Sequence, residues 1–239
     1  MCGRYVAATP VDVLVEHFGV TEVRLDADLP PSWNVAPTRE VYAVAQRRED
    51  NERTIGALRW GLVPSWAPDP SVGARLINAR LETLDAKPAF RRALVARRCL
   101  IPADGFYEWE RRADGSKQPY LVSRADGGVL AFAGLWEVWK DASGQWLRSC
   151  AIVTTDATGA LGAIHERCPV LVAPDRWEPW LDRTRHDSAA ALALLEPAPP
   201  DLLVMHPVSR DVNDVRNDRP DLVAAVEPEP EGESEPTLF

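Results

Sequence analysis

Cysteine is sparse in this chain of 239 residues, and its four copies (Cys2, Cys99, Cys150 and Cys168) lie far apart with no CxxC pair. That spacing provides neither a disulfide framework nor a structural zinc site. His165-Glu166-Arg167-Cys168 has the look of half a ligand set, but no second pair stands at a suitable spacing, so no metal is expected. Long hydrophobic runs are missing as well. The longest, Val129 to Trp136, is far below the roughly 18 residues that cross a bilayer. No basic segment leads into an apolar stretch at the N-terminus, so no secretory signal is read and a cytoplasmic location is expected. The glycine-rich phosphate loops GxxxxGK[ST] and GxGxxG are absent, as are GxSxG and HExxH, and no cofactor is expected.

What the chain does have is a globular composition: 46% hydrophobic and 26% charged residues with nine tryptophans, enough to bury a sizeable core. The net charge of −9 seems to disfavour nucleic acid, yet its distribution is uneven. Five glutamates and no basic residue lie between Glu227 and Phe239, so the remainder carries only −4. From Arg53 to Arg98 nine Lys/Arg face three Asp/Glu. A basic face on an acidic protein is one reading of that stretch, and an ordinary solvated surface is the other.

Thr9 and Pro10 read as an N-cap and first helical position, with Val11, Leu14, Val15 and Phe18 at helical spacing before Gly19. A Pro/Asp-rich loop then leads to Trp33, Asn34 and Val35. Strand character follows in Val41 to Ala45, Ile55 to Leu62, Cys99 to Ile101, Tyr120 to Ser123, Val129 to Trp136 and Trp146 to Thr155, with Asp-Gly turns at 114–115 and 126–127. Helices are predicted over Pro88 to Ala96, Ala157 to His165, Pro174 to Leu181 and Ser188 to Leu195. Without regular βαβ alternation, the pattern predicts an α+β fold: a single domain over residues 1–226 around a mainly antiparallel sheet or irregular β-barrel with peripheral helices. Residues 227–239, rich in Pro and Glu, are predicted to be a disordered acidic tail.

Several residues carry chemistry in their own right. Cysteine directly behind Met1 acquires a free α-amine beside its thiol once the methionine is removed. Such a 1,2-aminothiol condenses with an aldehyde to an imine, which the neighbouring thiol closes to a thiazolidine, an intramolecular step of high effective molarity. The plain alternative is a cysteine in a frayed terminus. Glu108 lies among aromatic neighbours that raise a carboxyl pKa by desolvation, or else on an exposed strand edge. His165 is a proton donor near neutral pH or a hydrogen-bonded framework residue. Asn34 is a polar positioning group or a turn residue. Cys99 and Cys150, in apolar runs, are expected to be buried and inert.

MCGRY at 1–5, WNVAPT at 33–38, RWGLVPSW at 59–66, INARLET at 77–83, RRCLIPADGFYEW at 97–109, AGLWE at 133–137, IVTTDA at 152–157, IHERCPV at 164–170 and MHPVSRDVN at 205–213 together resemble the SRAP family, the SOS-response-associated peptidase domains or abasic-site processing proteins. The resemblance implies a covalent sensor of abasic sites in single-stranded DNA that acts in the DNA damage response as a monomer, nucleoid-associated when bound. Catalytic positions matching the family are Cys2, Asn34, Glu108 and His165. Positions matching its DNA contacts are Gly3, Arg4, Pro37, Trp66, Asn78, Arg80 and Arg167: arginines for phosphates, Trp66 and Pro37 for the flanking bases. His206 is implied as a framework residue. Ala67 stands where some relatives carry a second tryptophan, which bears on base stacking, and Cys168 where methionine is common. A cysteine-dependent peptidase or self-processing hydrolase is the alternative activity, with Cys2 as nucleophile and His165 as base. A non-covalent single-strand binder is the third reading.

Overall fold

The structure, a computed structural model, describes residues 2–47, 49–196, 198–199 and 201–228. Its strands are β1 (Tyr5–Ala7), β2 (Glu22–Arg24), β3 (Ser32–Val35), β4 (Glu40–Gln46), β5 (Arg53–Trp60), β6 (Asn78–Arg80), β7 (Arg98–Ala103), β8 (Gly105–Arg111), β9 (Lys117–Arg124), β10 (Leu130–Lys140), β11 (Trp146–Asp156), β12 (Arg167–Pro169) and β13 (Leu203–Pro207). The α-helices are α1 (Val11–Phe18), α2 (Arg91–Ala96), α3 (Gly159–Ile164), α4 (Trp177–Leu181) and α5 (Ser188–Leu192).

Strands β11, β10, β7, β4 and β5 pair in that order, all antiparallel. The ring closes where Arg59 and Trp60 of β5 run parallel to Ser149 and Cys150 of β11. Closure removes the sheet edges that an open sheet would expose. Side chains alternate across the barrel wall with the period of two that a strand imposes. In β7, Cys99 and Ile101 point to the interior cluster with Trp60, Phe132 and Ile152, whereas Leu100 faces outward. In β10, Gly134 faces this interior; a Cβ there would lie 2.7 Å from Cys99 Sγ, so only glycine fits. The outer wall is covered by Leu14 and Phe18 of α1, Leu94 of α2, and Trp177 and Trp180 of α4. Each such large side chain contributes about 1.5–3 kcal/mol by leaving water.

A second antiparallel sheet, β13-β9-β8-β1-β3, lies against the barrel. Tyr5, Phe106 and Val122 join the barrel's interior cluster, while their chain neighbours Val6, Tyr107 and Leu121 pack on the opposite face with Val208, Val212 and Leu222. Because one cluster spans barrel and sheet, the fold is a single α+β domain with mainly antiparallel pairing. The tail expected from 227 lies, from residue 229 on, outside the described residues.

The six strands read from the sequence are all present, as are helices near all the predicted positions, and Cys99 and Cys150 are fully buried. Gly19 ends α1 in the left-handed conformation (φ 60°) that glycine adopts without penalty. The cap is a correction: Pro10, not Thr9, occupies the N-cap position and makes no side-chain cap bond. Thr9 is drawn instead to Asp104, whose Oδ2 accepts the Thr9 N–H at 3.0 Å and whose Oδ1 accepts the hydroxyl. Strands β1, β2, β3, β6, β8, β12 and β13 are not legible as strands in the sequence, and β2 falls in the stretch expected to be a loop. They are short or carry the polar residues that the site requires.

Candidate active site

Cys2 lies immediately before β1 and is fully buried in the cluster shared by barrel and sheet. Its backbone carbonyl accepts a hydrogen bond from Asn78 Nδ2 at 2.8 Å. Asn78 is placed by β6, which runs parallel to β11 with Asn78 opposite Ile152. Cys2 is therefore pinned rather than frayed. Burial, with the nearby Glu108 charge, pushes the Cys2 thiol well above its ordinary value, so the sulfur holds its proton until a base removes it.

Glu108 sits in β8, between β1 and β9, opposite Tyr120, with only 2% of its surface exposed. Desolvation raises its carboxyl from 4.5 to about 7. His165 follows α3 directly, its backbone N–H closing the last turn on Leu161 O at 2.9 Å. Its Nδ1 accepts the backbone N–H of Arg167 at 3.0 Å in one tautomer and donates to that residue's carbonyl at 3.2 Å in the other or when the ring is protonated, while Nε2 is the nitrogen turned toward β8. That Nε2 faces Glu108 Oε2 at 3.9 Å, an electrostatic contact longer than a hydrogen bond. Desolvation lowers the His165 pKa. A carboxyl pushed up and an imidazole pushed down make a pair able to exchange protons with a reactant near neutral pH.

Asn34 is buried but is occupied elsewhere. Its Oδ1 accepts from Arg4 Nη1 at 2.8 Å, and its Nδ2 donates to the carbonyls of Val212 (3.2 Å), Asp214 (3.2 Å) and Asn217 (2.7 Å). It clamps the 212–217 segment and orients Arg4, which also donates to Val212 O at 2.9 Å and lies over the Trp109 ring at 6.0 Å. The asparagine that touches Cys2 is Asn78.

The arginines divide. Arg167 is 5% exposed, and its fork is filled: Nη1 and Nη2 each reach Glu82 at 2.9 Å, Nη1 also reaches Asp156 Oδ1 at 2.5 Å, and Nη2 donates to Thr154 O at 2.7 Å. This is an internal brace between β12, β11 and the turn after β6, and in this arrangement Arg167 has no fork left for a phosphate. Glu82 and Asp156 were not singled out from the sequence; carboxylates in INARLET and IVTTDA near an arginine were the available signal. Arg80, at the end of β6, is exposed. Trp66 is 60% exposed, in the loop that leaves β5 through Gly61, whose φ of 126° and 2.6 Å approach of a virtual Cβ to Gly73 O require glycine. Ala67 beside it is buried, its carbonyl accepting Trp139 Nε1 at 2.7 Å. Pro37 is half-buried before Thr38, whose N–H binds Trp60 O at 2.8 Å. Gly3 is half-buried beside Cys2. His206 Nε2 lies 2.9 Å from Val223 O. Cys168 is half-buried, its thiol pushed up to about 11 by burial.

The arrangement brings Cys2, Asn78, Glu108 and His165 to one place, with Arg4 and Asn34 behind them. Residues 1–215 match the family described as SOS response associated peptidase (SRAP). The abasic site processing protein YoqW of Bacillus subtilis is 37% identical over 223 residues, 93% of this chain and 99% of that protein. The abasic site processing protein HMCES of Gallus gallus is 33% identical over 227 residues, covering 82% of this chain and 67% of that one. Among solved structures, a Bordetella bronchiseptica protein superposes with a TM-score of 0.75 at 27% identity, covering 87% of this chain and all of that one. With sequence, fold and whole-length coverage in agreement, the chain belongs to the SRAP family.

Proposed function

We propose that this protein processes abasic sites in single-stranded DNA by capturing them covalently through Cys2 after Met1 is removed. The observation that carries the reading is the pinned, buried cysteine at position 2 beside a carboxyl whose pKa burial raises and an imidazole whose pKa burial lowers. The names of relatives at 33–37% identity supply the substrate class.

Protonated His165 gives its Nε2 proton to the ring oxygen of the closed deoxyribose while the Glu108 carboxylate takes the proton of the C1 hydroxyl, opening the sugar to the aldehyde. The neutral Cys2 α-amine adds to the aldehyde carbon. Protonated Glu108 gives its proton to the departing hydroxyl, and water leaves as the iminium forms. The Cys2 sulfur then adds to the iminium carbon, whose π pair returns to the nitrogen, while the thiol proton restores the Glu108 carboxyl. One aldehyde and one aminothiol thus yield one thiazolidine and one water. A thiol that burial keeps protonated suits this order of events, since it adds only after the electrophile has arrived. The same burial disfavours the peptidase alternative, which requires a thiolate at the outset. Arg80 and Trp66, both outward-facing, serve the strand: a fork for phosphate and a platform for a flanking base. One chain supplies every residue named, so a monomer suffices.

Intact mass spectrometry of the protein, alone and mixed with uracil-glycosylase-treated single-stranded oligonucleotide, tests the reading. The expected result is loss of Met1 and a denaturation-resistant adduct at the combined mass less one water. No adduct with processed protein overturns it.

A further inference from the structure

His165 rides on an excursion of the chain. Strand β11 ends at Asp156, residues 157–166 leave the sheet to form α3 and place the imidazole, and the chain returns at β12, where Arg167 stands opposite Asp156. The backbone closes the base of this excursion with the Ala157 N–H on Glu166 O at 2.9 Å, and Leu161 of α3 packs half-buried against the interior cluster. The remaining ties at the base are made by side chains.

Those ties run to Glu82. Its Oε1 accepts from Arg167 Nη1 and its Oε2 from Arg167 Nη2, both at 2.9 Å, the two-pronged pairing that fixes direction as well as distance. Thr155 Oγ1 also donates to Glu82 Oε1 at 3.2 Å. Neutralising Arg167 does not require Glu82, because Asp156 Oδ1 lies 2.5 Å from the same Nη1. What Glu82 adds is reach. Thr154 of β11 has Arg80 of β6 opposite it on one edge and Pro169 of β12 on the other. Glu82, two residues past Arg80, therefore reaches across the end of β11 and joins two pieces of the site that share no backbone pairing. One is the strand bearing Asn78, which holds the Cys2 carbonyl; the other is the return bearing His165.

We infer that Glu82 is a positioning residue, which through Arg167 fixes the His165 imidazole relative to Cys2 and Glu108. The last link is direct: the backbone N–H and carbonyl of Arg167 lie 3.0 and 3.2 Å from His165 Nδ1, so a shift of Arg167 turns the ring. The opposite nitrogen, Nε2, is the one 3.9 Å from Glu108 Oε2. A displacement of about 1 Å at a reacting group costs up to about a hundredfold in rate. The consequence for rate rests on the capture reaction proposed above, whereas the brace is measurable without DNA.

Glu82→Gln tests this in the full chain. The Glu82 side chain is 42% exposed and Arg167 keeps Asp156, so the substitution leaves no buried charge unpaired. Hydrogen exchange without DNA, read by mass spectrometry, should be about tenfold faster over residues 157–168 and unchanged in β4 and β5. Adduct formation at saturating abasic oligonucleotide should slow by about tenfold to a hundredfold, and Glu82→Asp, which keeps the carboxylate, should retain more of the rate. In a His165→Ala background Glu82→Gln should cost nothing further, because the group it positions is gone; a purely structural brace slows both backgrounds equally. Unaltered exchange over 157–168 overturns the inference, and so does an equal loss of rate in both backgrounds. Absence of adduct from the parent protein counts against the capture reaction instead, with the exchange result still deciding the brace.

Discussion

Replacing Glu108 with glutamine isolates the electrostatic cost of the candidate site. In the folded protein the Glu108 carboxyl is raised from 4.5 to about 7 by desolvation, so between those values the native state holds a proton that the unfolded chain releases. Stability therefore falls as pH rises through this window: the folded protein binds more protons, and the derivative of unfolding free energy with pH is negative. Below pH 4.5 both states are protonated and there is no penalty. Above 7 both are ionised and the penalty is complete, about 3 kcal/mol at 1.36 kcal/mol per unit. Glutamine keeps the shape and never ionises. Glu108→Gln should match the parent near pH 4.5 and exceed it at pH 8 by up to about 3 kcal/mol, a rise of about 6–12 °C in melting temperature for a chain of this size. His165, lowered by its own burial, contributes an opposite slope near and below 6.5 in both proteins, and because its Nε2 stands 3.9 Å from Glu108 Oε2 the difference also carries their coupling. Urea unfolding of the two proteins at half-unit intervals from pH 4.5 to 8.5 measures that difference directly. A difference that is flat with pH, or that favours the parent at pH 8, refutes the assignment of a desolvated carboxyl. The same variant should form adduct more slowly at pH 7, because it has lost the group that supplies and recovers the proton.

Cys2→Ser retains the amine and removes the sulfur, so it should give an imine that survives denaturation only after borohydride reduction; a stable unreduced adduct at parent yield contradicts the thiazolidine. Trp66→Ala should weaken binding to undamaged single strands by about 1–3 kcal/mol, as expected for a stacked base. Arg80→Ala should lower the slope of log affinity against log salt by about one; both are read by fluorescence anisotropy. Asn34→Ala, which strands three backbone carbonyls and Arg4, should cost about 2–4 kcal/mol of stability in urea unfolding, whereas an unchanged midpoint would contradict its role as the clamp of residues 212–217.

The legible parts of the sequence and the illegible ones separate on physical grounds. Strands β4, β5, β7, β10 and β11 of the barrel, and β9 of the sheet packed on it, announce themselves because such walls demand apolar or β-branched side chains on one face or both. Strands β1, β3, β6, β8 and β12 do not, since each gives up its pattern to a residue with other work: Arg4 just ahead of β1, Asn34 in β3, Asn78 in β6, Glu108 in β8, Arg167 in β12. Local propensity fails where the site is built, and the failure is itself informative. Residue type likewise set which side chains to watch but not whom they would meet. An arginine reads identically in sequence whether it faces water, as Arg80 does, or is filled by Glu82 and Asp156, as Arg167 is, because its partners arrive from β11 and from 85 positions away. The family resemblance gives Asn34 a catalytic position and Asn78 a DNA contact, yet parallel pairing of β6 with β11 brings Asn78 to the Cys2 carbonyl while the 212–217 segment claims Asn34. Long-range pairing, then, decides which of two like residues meets Cys2 and which holds the 212–217 segment. The Glu108 titration depends on the same long-range packing, because β8 sets Glu108 on the face that Phe106 presents to the barrel, where the carboxyl is removed from water.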